Sequence, residues 1–333
     1  MKQTPHSDLT TLPDRLPDFF ILGGPKCGTT SLFGWLQSHP DTFLPHKEPN
    51  FLSRDVFDAR SIPGAVQDWP DYLARLTPPE EQDKVTGEST PRYLYSDLAL
   101  DILSRHPARP RMIAILRNPI DLVYSLHGQM VRQGIEKEPD FARAWARSLA
   151  AQDAPGAWSS ADGRTDHRLD YPMFGRLGRR LQALQGRVRQ DQLRIFILEE
   201  DLTHAPAKVL VEVLEFLDLP PADIDISRRN ERIELRFLGL HRQTLALRNW
   251  VMQAMSAVGI NLTQSHGKRR GTGLIKLLIK ITRRRSEAQD ELSVEMRKDL
   301  AEFFRTDVSM IEAELGRSIA VWQDWQKPKG RGE

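Results

Sequence analysis

The chain has 333 residues, of which 40% are hydrophobic and 28% charged, a composition typical of a soluble globular protein. Its length suits one large α/β domain with insertions, or two small domains. The formal net charge is +2, but residues 228–285 alone carry 14 Lys or Arg against two Glu, so the rest of the chain is acidic.

Targeting and redox signals are few. Residues 1–16 are polar and carry no apolar core of a signal peptide, and no apolar run is long enough to cross a bilayer. Cys27 is the only cysteine, which excludes a disulfide within the chain and favours a reducing cytoplasm. No spaced set of Cys and His predicts a metal site.

The first predicted elements are a strand, a glycine loop and a helix in immediate succession within residues 18–40. The apolar run 19–22 predicts a buried parallel strand that ends at two glycines. Residues 29–39 carry apolar side chains at helical spacing, and Pro40 ends that helix. The loop between them directs backbone N–H groups of residues 26–30 outward at a helix N-terminus, which favours binding of phosphate-like anions.

The loop GGPKCGTTSL differs from the nucleotide-binding P-loop, G-x-x-x-x-G-K-[ST], in the position of its lysine. Thr29 stands where that lysine belongs, and Lys26 precedes Gly28 by two residues. The loop resembles the 5′-phosphosulfate loop of sulfotransferases that use 3′-phosphoadenosine 5′-phosphosulfate (PAPS), especially heparan-type and related bacterial enzymes. The resemblance implies that Lys26 binds the oxygen bridging phosphate and sulfate. It assigns nucleotide contacts to Lys26, Cys27, Gly28, Thr29, Thr30 and Ser31, with Cys27 as a small residue that fills the loop.

A short extended piece at 42–44 precedes a loop that carries His46, Lys47 and Glu48. Its segment KEPNF resembles KEPxFF of many sulfotransferases, in whose heparan-type members a glutamate is the catalytic base. The resemblance implies that Glu48 is the base, with Lys47 beside the acceptor. The alternatives are that Glu48 is an ordinary solvated side chain and that His46 or His127 is the base.

Residues 72–76 are predicted to be helical and 84–88 to form a short strand, which leads into the segment GESTPRYLY. This segment resembles GExTPxYL, which lies beside the acceptor site in the same family. The resemblance implies acceptor contacts by Glu88, Arg92 and Tyr93; as ordinary loop and helix-start residues they would have no such role. Ser89 stands where heparan-type members often have lysine, which weakens any transfer of acceptor identity.

The stretch RMIAILRNPIDLVYS gives the second strong signal. The apolar run 112–116 predicts a strand buried on both faces, and Arg117 follows at its carboxyl end, where ligands bind in open α/β sheets. The stretch resembles the 3′-phosphate motif of sulfotransferases, which implies that Arg117 and Ser125 bind the extra ribose phosphate. Arginine suits this role because its planar fork forms paired hydrogen bonds to phosphate. A kinase would instead place an aspartate there to hold Mg²⁺.

The following segments are interpreted as scaffold. Helices are predicted at 140–151, 174–188 and 207–217, a polar loop at 152–170, and a strand at 193–198. The segment QLRIFILEEDLTHAP resembles a core strand and helix of the family, and residues 296–325 resemble its closing helix pair.

The basic segment 228–285 combines a helical pattern at 236–255, a glycine-basic loop, and a short apolar helix at 274–281. In the family a basic loop near this point closes over the nucleotide, which implies 3′-phosphate contacts by Lys268, Arg269 and Arg270. Two alternatives remain open, namely a surface that rests on anionic lipid or an acidic polymer, and a solvated basic hairpin.

Together these patterns predict one α/β domain with a central parallel sheet flanked by helices, similar to nucleotide kinases. Its predicted limits are a tail at 1–17, the domain at 18–326 with a basic helical insertion or lid at 228–285, and a tail at 327–333. The resemblance implies metal-independent sulfuryl transfer from PAPS to a carbohydrate, glycolipid or small-molecule acceptor, with no nucleic-acid partner. The expected location is the cytoplasm, with or without contact to the inner membrane face. The alternatives are a P-loop kinase using ATP and Mg²⁺ and a non-catalytic anion-binding or membrane-surface protein.

Overall fold

The computed structural model describes residues 9, 11–45, 47–61, 64–76, 83–154, 156–158, 165–226 and 292–323, and the backbone of 233–235 and 283–285. The strands are β1 (Phe19–Gly23), β2 (Thr42–Phe43), β3 (Val85–Ser89), β4 (Arg111–Leu116), β5 (Leu193–Ile197), β6 (Ile233–Leu235) and β7 (Arg283–Arg285). The helices are α1 (Thr29–Gln37), α2 (Trp69–Leu76), α3 (Asp97–Arg105), α4 (Pro119–Gln133), α5 (Phe141–Ala150), α6 (Tyr171–Gly175), α7 (Leu177–Gln185), α8 (Pro206–Phe216), α9 (Val294–Leu315) and α10 (Ala320–Gln323).

The main sheet of the described chain has five strands in the order β2-β3-β1-β4-β5, and every pairing in it is parallel. This confirms the predicted α/β domain with a central parallel sheet flanked by helices. The two central strands are the two continuous apolar runs of the sequence, and residues 19–22 and 112–116 have no exposed surface. A strand covered on both faces requires such a run.

All carboxyl ends of the parallel strands lie at one edge of the sheet. β1 ends at Gly23, β3 at Ser89, β4 at Leu116 and β5 at Ile197. Ile21 pairs with Ser89 on one side, and Gly23 pairs with Ile115 on the other. The loops that follow these strands therefore meet at this edge, which we call the carboxyl edge.

Local capping signals fix the helix that follows β4. Asn118 accepts a hydrogen bond of 3.0 Å from the Ile120 amide, and Pro119 occupies the first turn. Gly134 ends the helix in a left-handed conformation. The helix thus begins directly beyond Arg117.

The prediction of one continuous helix at 174–188 was wrong. The expected helix 174–188 is divided into α6 and α7, because the backbone of Arg176 leaves the helical region at ψ 54°. The first piece begins earlier than expected, because Asp170 accepts a hydrogen bond of 3.1 Å from the Met173 amide and Pro172 occupies the first turn.

The expected basic helical insertion falls mostly outside the described residues, including the predicted helices 236–255 and 274–281. Near its two ends, β6 and β7 pair as antiparallel strands. Such a pairing, between segments about fifty residues apart, leaves no trace in local periodicity. Within the described ranges, every helix falls short of the length and apolar character that a membrane span requires.

Candidate active site

The loop between β1 and α1 forms a candidate anion cradle. Lys26 has a left-handed backbone (φ 68°) and is exposed, and the Cys27 amide donates a hydrogen bond of 3.2 Å to the Gly24 carbonyl oxygen. No described side chain caps the N-terminus of α1, and its first turn contains no acidic residue. The amides of this turn can therefore bind an anion.

Two glycines allow the loop to lie close to its neighbours. A Cβ atom at Gly23 (φ 145°) would lie 2.3 Å from the Ile115 carbonyl oxygen, and one at Gly28 (φ 86°) would lie 2.7 Å from Cδ1 of Leu198. Both backbones are strained for any residue with a side chain. The loop thus packs between β4 and the turn that follows β5.

The other loop residues differ in their access to a ligand. Cys27 is fully buried, and burial raises the pKa of its thiol, which stays neutral. Its burial fits a loop-filling residue, and its amide is already bonded to the Gly24 carbonyl oxygen, so any contact of Cys27 with a ligand stays a prediction. Thr29 is buried, Ser31 half-buried and Thr30 exposed.

Arg117 joins the end of β4 to the loop. Its Nη1 atom donates a hydrogen bond of 3.0 Å to the Lys26 carbonyl oxygen, and the residue is 8% exposed. Ser125 lies two turns along α4 and is half-buried. The structure therefore brings Arg117 to the cradle, while the part that Ser125 has in binding stays a prediction.

Glu199 is a charged neighbour of Arg117 that sequence reasoning assigned to scaffold. It lies in the π-helical turn Leu198–Leu202 directly after β5, and its Oε1 atom is 3.8 Å from Nε of Arg117. Burial raises its pKa, although Trp322, Arg117 and the Asn118 amide favour the ionised form. A carboxylate two residues beyond the end of a parallel strand was the available signal.

The backbone of β3 sets the position of Glu48. Lys47 forms a parallel bridge with Ser89, and the Glu48 amide donates a hydrogen bond of 2.9 Å to the Ser89 carbonyl oxygen. Because Ser89 pairs with Ile21, this loop lies beside the end of β1 and the cradle. The backbone of Glu48 is in the left-handed conformation (φ 56°), which is unfavourable for glutamate. Strained backbone conformations of this kind concentrate at functional sites.

Three cations act on the Glu48 carboxylate. Nζ of Lys47 is 2.9 Å from Oε1, and Nη1 of Arg92 is 3.5 Å from Oε2. Burial alone would raise its pKa, but Lys47 and Arg92, with a smaller effect from Lys26, hold the pKa below the usual range. The carboxylate is therefore ionised at neutral pH, and the charge of Lys26 acts on it.

Asn50 supports this arrangement, and sequence reasoning missed it. Its Nδ2 atom donates a hydrogen bond of 2.7 Å to the Glu48 carbonyl oxygen, and its Oδ1 atom accepts one of 3.2 Å from Arg92. Asn50 is also left-handed (φ 53°), a conformation that asparagine tolerates well. It therefore fixes both the Glu48 backbone and the Arg92 guanidinium.

Glu88 and Tyr93 are not at the surface, contrary to the expectation of acceptor contacts. Neither has exposed area, because the Glu88 carboxylate accepts hydrogen bonds from three hydroxyl groups, those of Tyr72, Thr90 (2.5 Å) and Tyr93 (3.2 Å). The Tyr93 hydroxyl in turn accepts from the Leu52 amide at 3.3 Å. Through Leu52 they contact the segment that follows Glu48. Of the three predicted acceptor contacts, only Arg92 lies beside Glu48.

A half-open cavity of about 260 Å³ lies beside Glu48. One part of its lining is charged or polar, and the other is apolar. The lining residues are Lys47, Glu48, Pro49, Asn50, Ala59, Gly64, Ala65, Val66, Tyr72, Arg75 and Leu76. An acceptor that enters here meets the Glu48 carboxylate.

Of the two alternative bases, only His127 lies among the described residues, and it is held away from Glu48 by its own contacts. His46 lies outside the described residues, as do the predicted contacts Lys268, Arg269 and Arg270. His127 is buried, and its Nε2 atom is 2.9 Å from the Glu138 carbonyl oxygen. Among the described residues, no group of three or more His, Cys, Asp or Glu is arranged to hold a metal ion.

Comparison with known proteins places this geometry in a family. The sulfotransferase domain model matches residues 16–312. Human carbohydrate sulfotransferase 15 is 27% identical over 148 residues, which cover 33% of this chain and 26% of the relative. Mouse heparan sulfate glucosamine 3-O-sulfotransferase 3A1 is 24% identical over 208 residues, which cover 62% of this chain and 46% of the relative. The chain thus spans less than half the length of these relatives.

A solved structure has the same fold. The crystal structure of a sulfotransferase from Alicyclobacillus acidocaldarius superposes with a TM-score of 0.64 at 20% identity, and the match covers 93% of this chain and 99% of the other. The family model covers most of the chain, and both nucleotide motifs lie within it at one sheet edge. The chain belongs to the sulfotransferase domain family.

Proposed function

We propose that this protein transfers a sulfuryl group from PAPS to a hydroxyl or amine of an acceptor. One observation carries this proposal. The cradle with its exposed Lys26, the Arg117 guanidinium bound to that cradle, and the ionised Glu48 meet at the carboxyl edge. A cation, a phosphate-binding fork and a base lie together where a ligand binds in this class of sheet.

The residues present fit the donor. The uncapped first turn of α1 offers backbone N–H groups, and the two close-packed glycines leave no side chain in the way. Arg117 is buried apart from a small exposed fraction, and its Nε atom has no hydrogen-bond partner among the described residues. We assign the 5′-phosphosulfate to residues 26–31 and the 3′-phosphate to Arg117 and Ser125.

The chemistry then divides between two side chains. Glu48 accepts the proton of the acceptor hydroxyl or amine as the new bond to sulfur forms. The bond between sulfur and the bridging oxygen breaks, and negative charge develops on the departing phosphate. Lys26 and the loop amides stabilise that charge because they are already oriented towards it, so the mechanism uses no metal ion.

The acceptor class that we favour is a carbohydrate. Both named relatives carry carbohydrate acceptors in their names, and the segment at Glu48 resembles heparan-type members. Glycolipids and small alcohols or amines are the other acceptors to test. Contact of residues 228–285 with anionic lipid or an acidic polymer, and a cytoplasmic location, remain predictions.

The test is transfer of labelled sulfate from PAPS across a panel of acceptors. The panel contains desulfated polysaccharides, oligosaccharides, glycolipids and simple alcohols. We expect transfer to at least one carbohydrate in a buffer that contains a metal chelator. No transfer to any member, together with phosphate transfer from labelled ATP and Mg²⁺, would instead support the kinase alternative.

A further inference from the structure

Arg117 and Glu199 form a buried pair of opposite charges in the candidate nucleotide site. Oε1 of Glu199 is 3.8 Å from Nε of Arg117, and the side chains are 9% and 16% exposed. That distance is too long for a hydrogen bond, so the two groups interact through their charges. Little water screens the interaction, because both groups are largely buried.

Neutral donors hold the Glu199 carboxylate in place independently of Arg117. The Asn118 amide donates to Oε1 at 3.1 Å, and Nε1 of Trp322 donates to Oε2 at 3.1 Å. Trp322 is itself buried in α10. These two hydrogen bonds hold the carboxylate beside Arg117.

The same turn lies directly against the anion cradle. Leu198, adjacent to Glu199, is the side chain that a Cβ atom at Gly28 would meet. The charges of Arg117 and Glu199 both act on the Cys27 thiol inside the cradle. A fixed negative charge thus lies beside the position assigned to an anionic ligand.

We propose that Glu199 is a specificity-determining residue of the nucleotide site, a fixed opposing charge that limits how tightly Arg117 holds the 3′-phosphate. This role rests on the function proposed above. Glu199 offsets part of the attraction of Arg117 for an anion, so an anion that binds at Arg117 alone gains little binding free energy. A ligand that also occupies the Lys26 cradle still binds, and the desulfated product leaves more readily than it would from an unopposed arginine.

The variant that tests this role is Glu199→Gln. It removes the charge, keeps the size of the side chain, and retains an oxygen that can accept from the Asn118 amide. We expect it to bind 3′-phosphoadenosine 5′-phosphate (PAP) about tenfold more tightly, because attraction of Arg117 for phosphate is no longer opposed. A residue with a purely structural role would instead weaken binding when replaced.

Glu200→Gln is the matched control. Glu200 lies in the same turn, and its substitution removes the same charge, but its carboxylate pairs with Arg317 and has no contact with Arg117 among the described residues. We expect the affinity of this variant for PAP to stay within about twofold of the wild type, because a charge that is paired away from the ligand contributes little to its binding.

The experiment is calorimetry of the full chain with PAP and with 5′-AMP, which lacks the 3′-phosphate. Wild type that does not prefer PAP would contradict the 3′-phosphate site itself, whatever Glu199 does. Given that preference, tighter PAP binding by Glu199→Gln, with a smaller change for 5′-AMP, supports the role. Unchanged or weaker PAP binding overturns it. If circular dichroism shows that Glu199→Gln is unfolded, Glu199→Asp replaces it as the test variant. It withdraws the carboxylate from Arg117 by one methylene, so we expect a smaller increase in affinity for PAP, and unchanged or weaker binding again overturns the role.

Discussion

The guanidinium of Arg117 donates a hydrogen bond of 3.0 Å to the carbonyl oxygen of Lys26, across 91 residues of sequence. This bond joins the loop after β1 to the end of β4, the two places where sequence motifs indicated nucleotide phosphates. Arg117 thus fixes the cradle backbone, and in the proposed site the rest of its fork also binds the 3′-phosphate.

Lys26→Ala should lower kcat by about 10²-fold or more, because it removes a preoriented charge next to the departing phosphate. The assay is labelled sulfate transfer at saturating PAPS. Lys208→Ala, on the exposed surface of α8, is the control and should be neutral. Turnover near that of the wild type would remove Lys26 from the mechanism.

Glu48→Gln should bind PAP as well as the wild type but fail in transfer, because the amide cannot accept the acceptor proton. Calorimetry and the transfer assay measure the two properties separately. Glu212→Gln, on the exposed side of α8, should retain both. A Glu48→Gln enzyme that still transfers sulfate would assign the base to another residue.

The pH profile of kcat/KM provides an independent test of Glu48. Neighbouring cations lower the pKa of this carboxylate below its usual value, so it remains ionised as the pH falls from 8 to about 5. We expect no loss of kcat/KM attributable to the base within that range. A loss centred near pH 6.5, the usual value of histidine, would point to His46 instead.

Arg117→Ala should weaken PAP binding by about 10- to 100-fold and 5′-AMP binding by less, because only PAP has the 3′-phosphate. Calorimetry with both ligands measures the difference. Arg105→Ala, an exposed position on α3, provides the control. Equal losses for both ligands would indicate that Arg117 acts only through the cradle backbone.

Gly28→Ala should destabilise the fold by about 2 kcal/mol, because its backbone is left-handed and the new methyl group meets Leu198. Gly34→Ala, inside α1 with nothing within 4 Å of its Cβ position, should instead stabilise it by about 0.5–1 kcal/mol. Urea unfolding measures both. Similar effects of the two substitutions would contradict the close packing of the cradle.

Glu88 should make stability fall as the pH rises. Burial raises its pKa from 4.5 to about 7. The folded state therefore binds a proton between these values that the unfolded state has released, and the free energy of unfolding decreases by up to about 3 kcal/mol from pH 4 to 8. Glu88→Gln should lose this contribution, whereas Glu212→Gln should keep it. Parallel pH curves for wild type and Glu88→Gln would contradict the buried network.

Much of the fold followed from local patterns. The runs 19–22 and 112–116 are apolar throughout because both faces of β1 and β4 are covered. The start of α4 rests on equally local features, the Asn118 cap and Pro119 in the first turn. The break at Arg176 and the pairing of β6 with β7 depend on the course of the backbone and on distant partners, which local periodicity does not record.

The site was predicted only where it consists of motifs. Lys26, Glu48 and Arg117 stand in recognisable segments, and the structure brings them to one edge. Glu199 was missed because its donor Trp322 arrives from 123 residues away. The burial of Glu88 depends likewise on Tyr72 from α2, so sequence alone could not separate a supporting carboxylate from an acceptor contact.

The most direct test of the central claim compares two calorimetric titrations of the wild-type chain. One uses PAP as the ligand, and the other uses ATP with Mg²⁺. A cradle with an early lysine and an arginine at the next strand end should bind PAP, without added metal, at least about 100-fold more tightly than ATP with Mg²⁺. Tighter binding of ATP with Mg²⁺, or no binding of PAP, would contradict the proposed function.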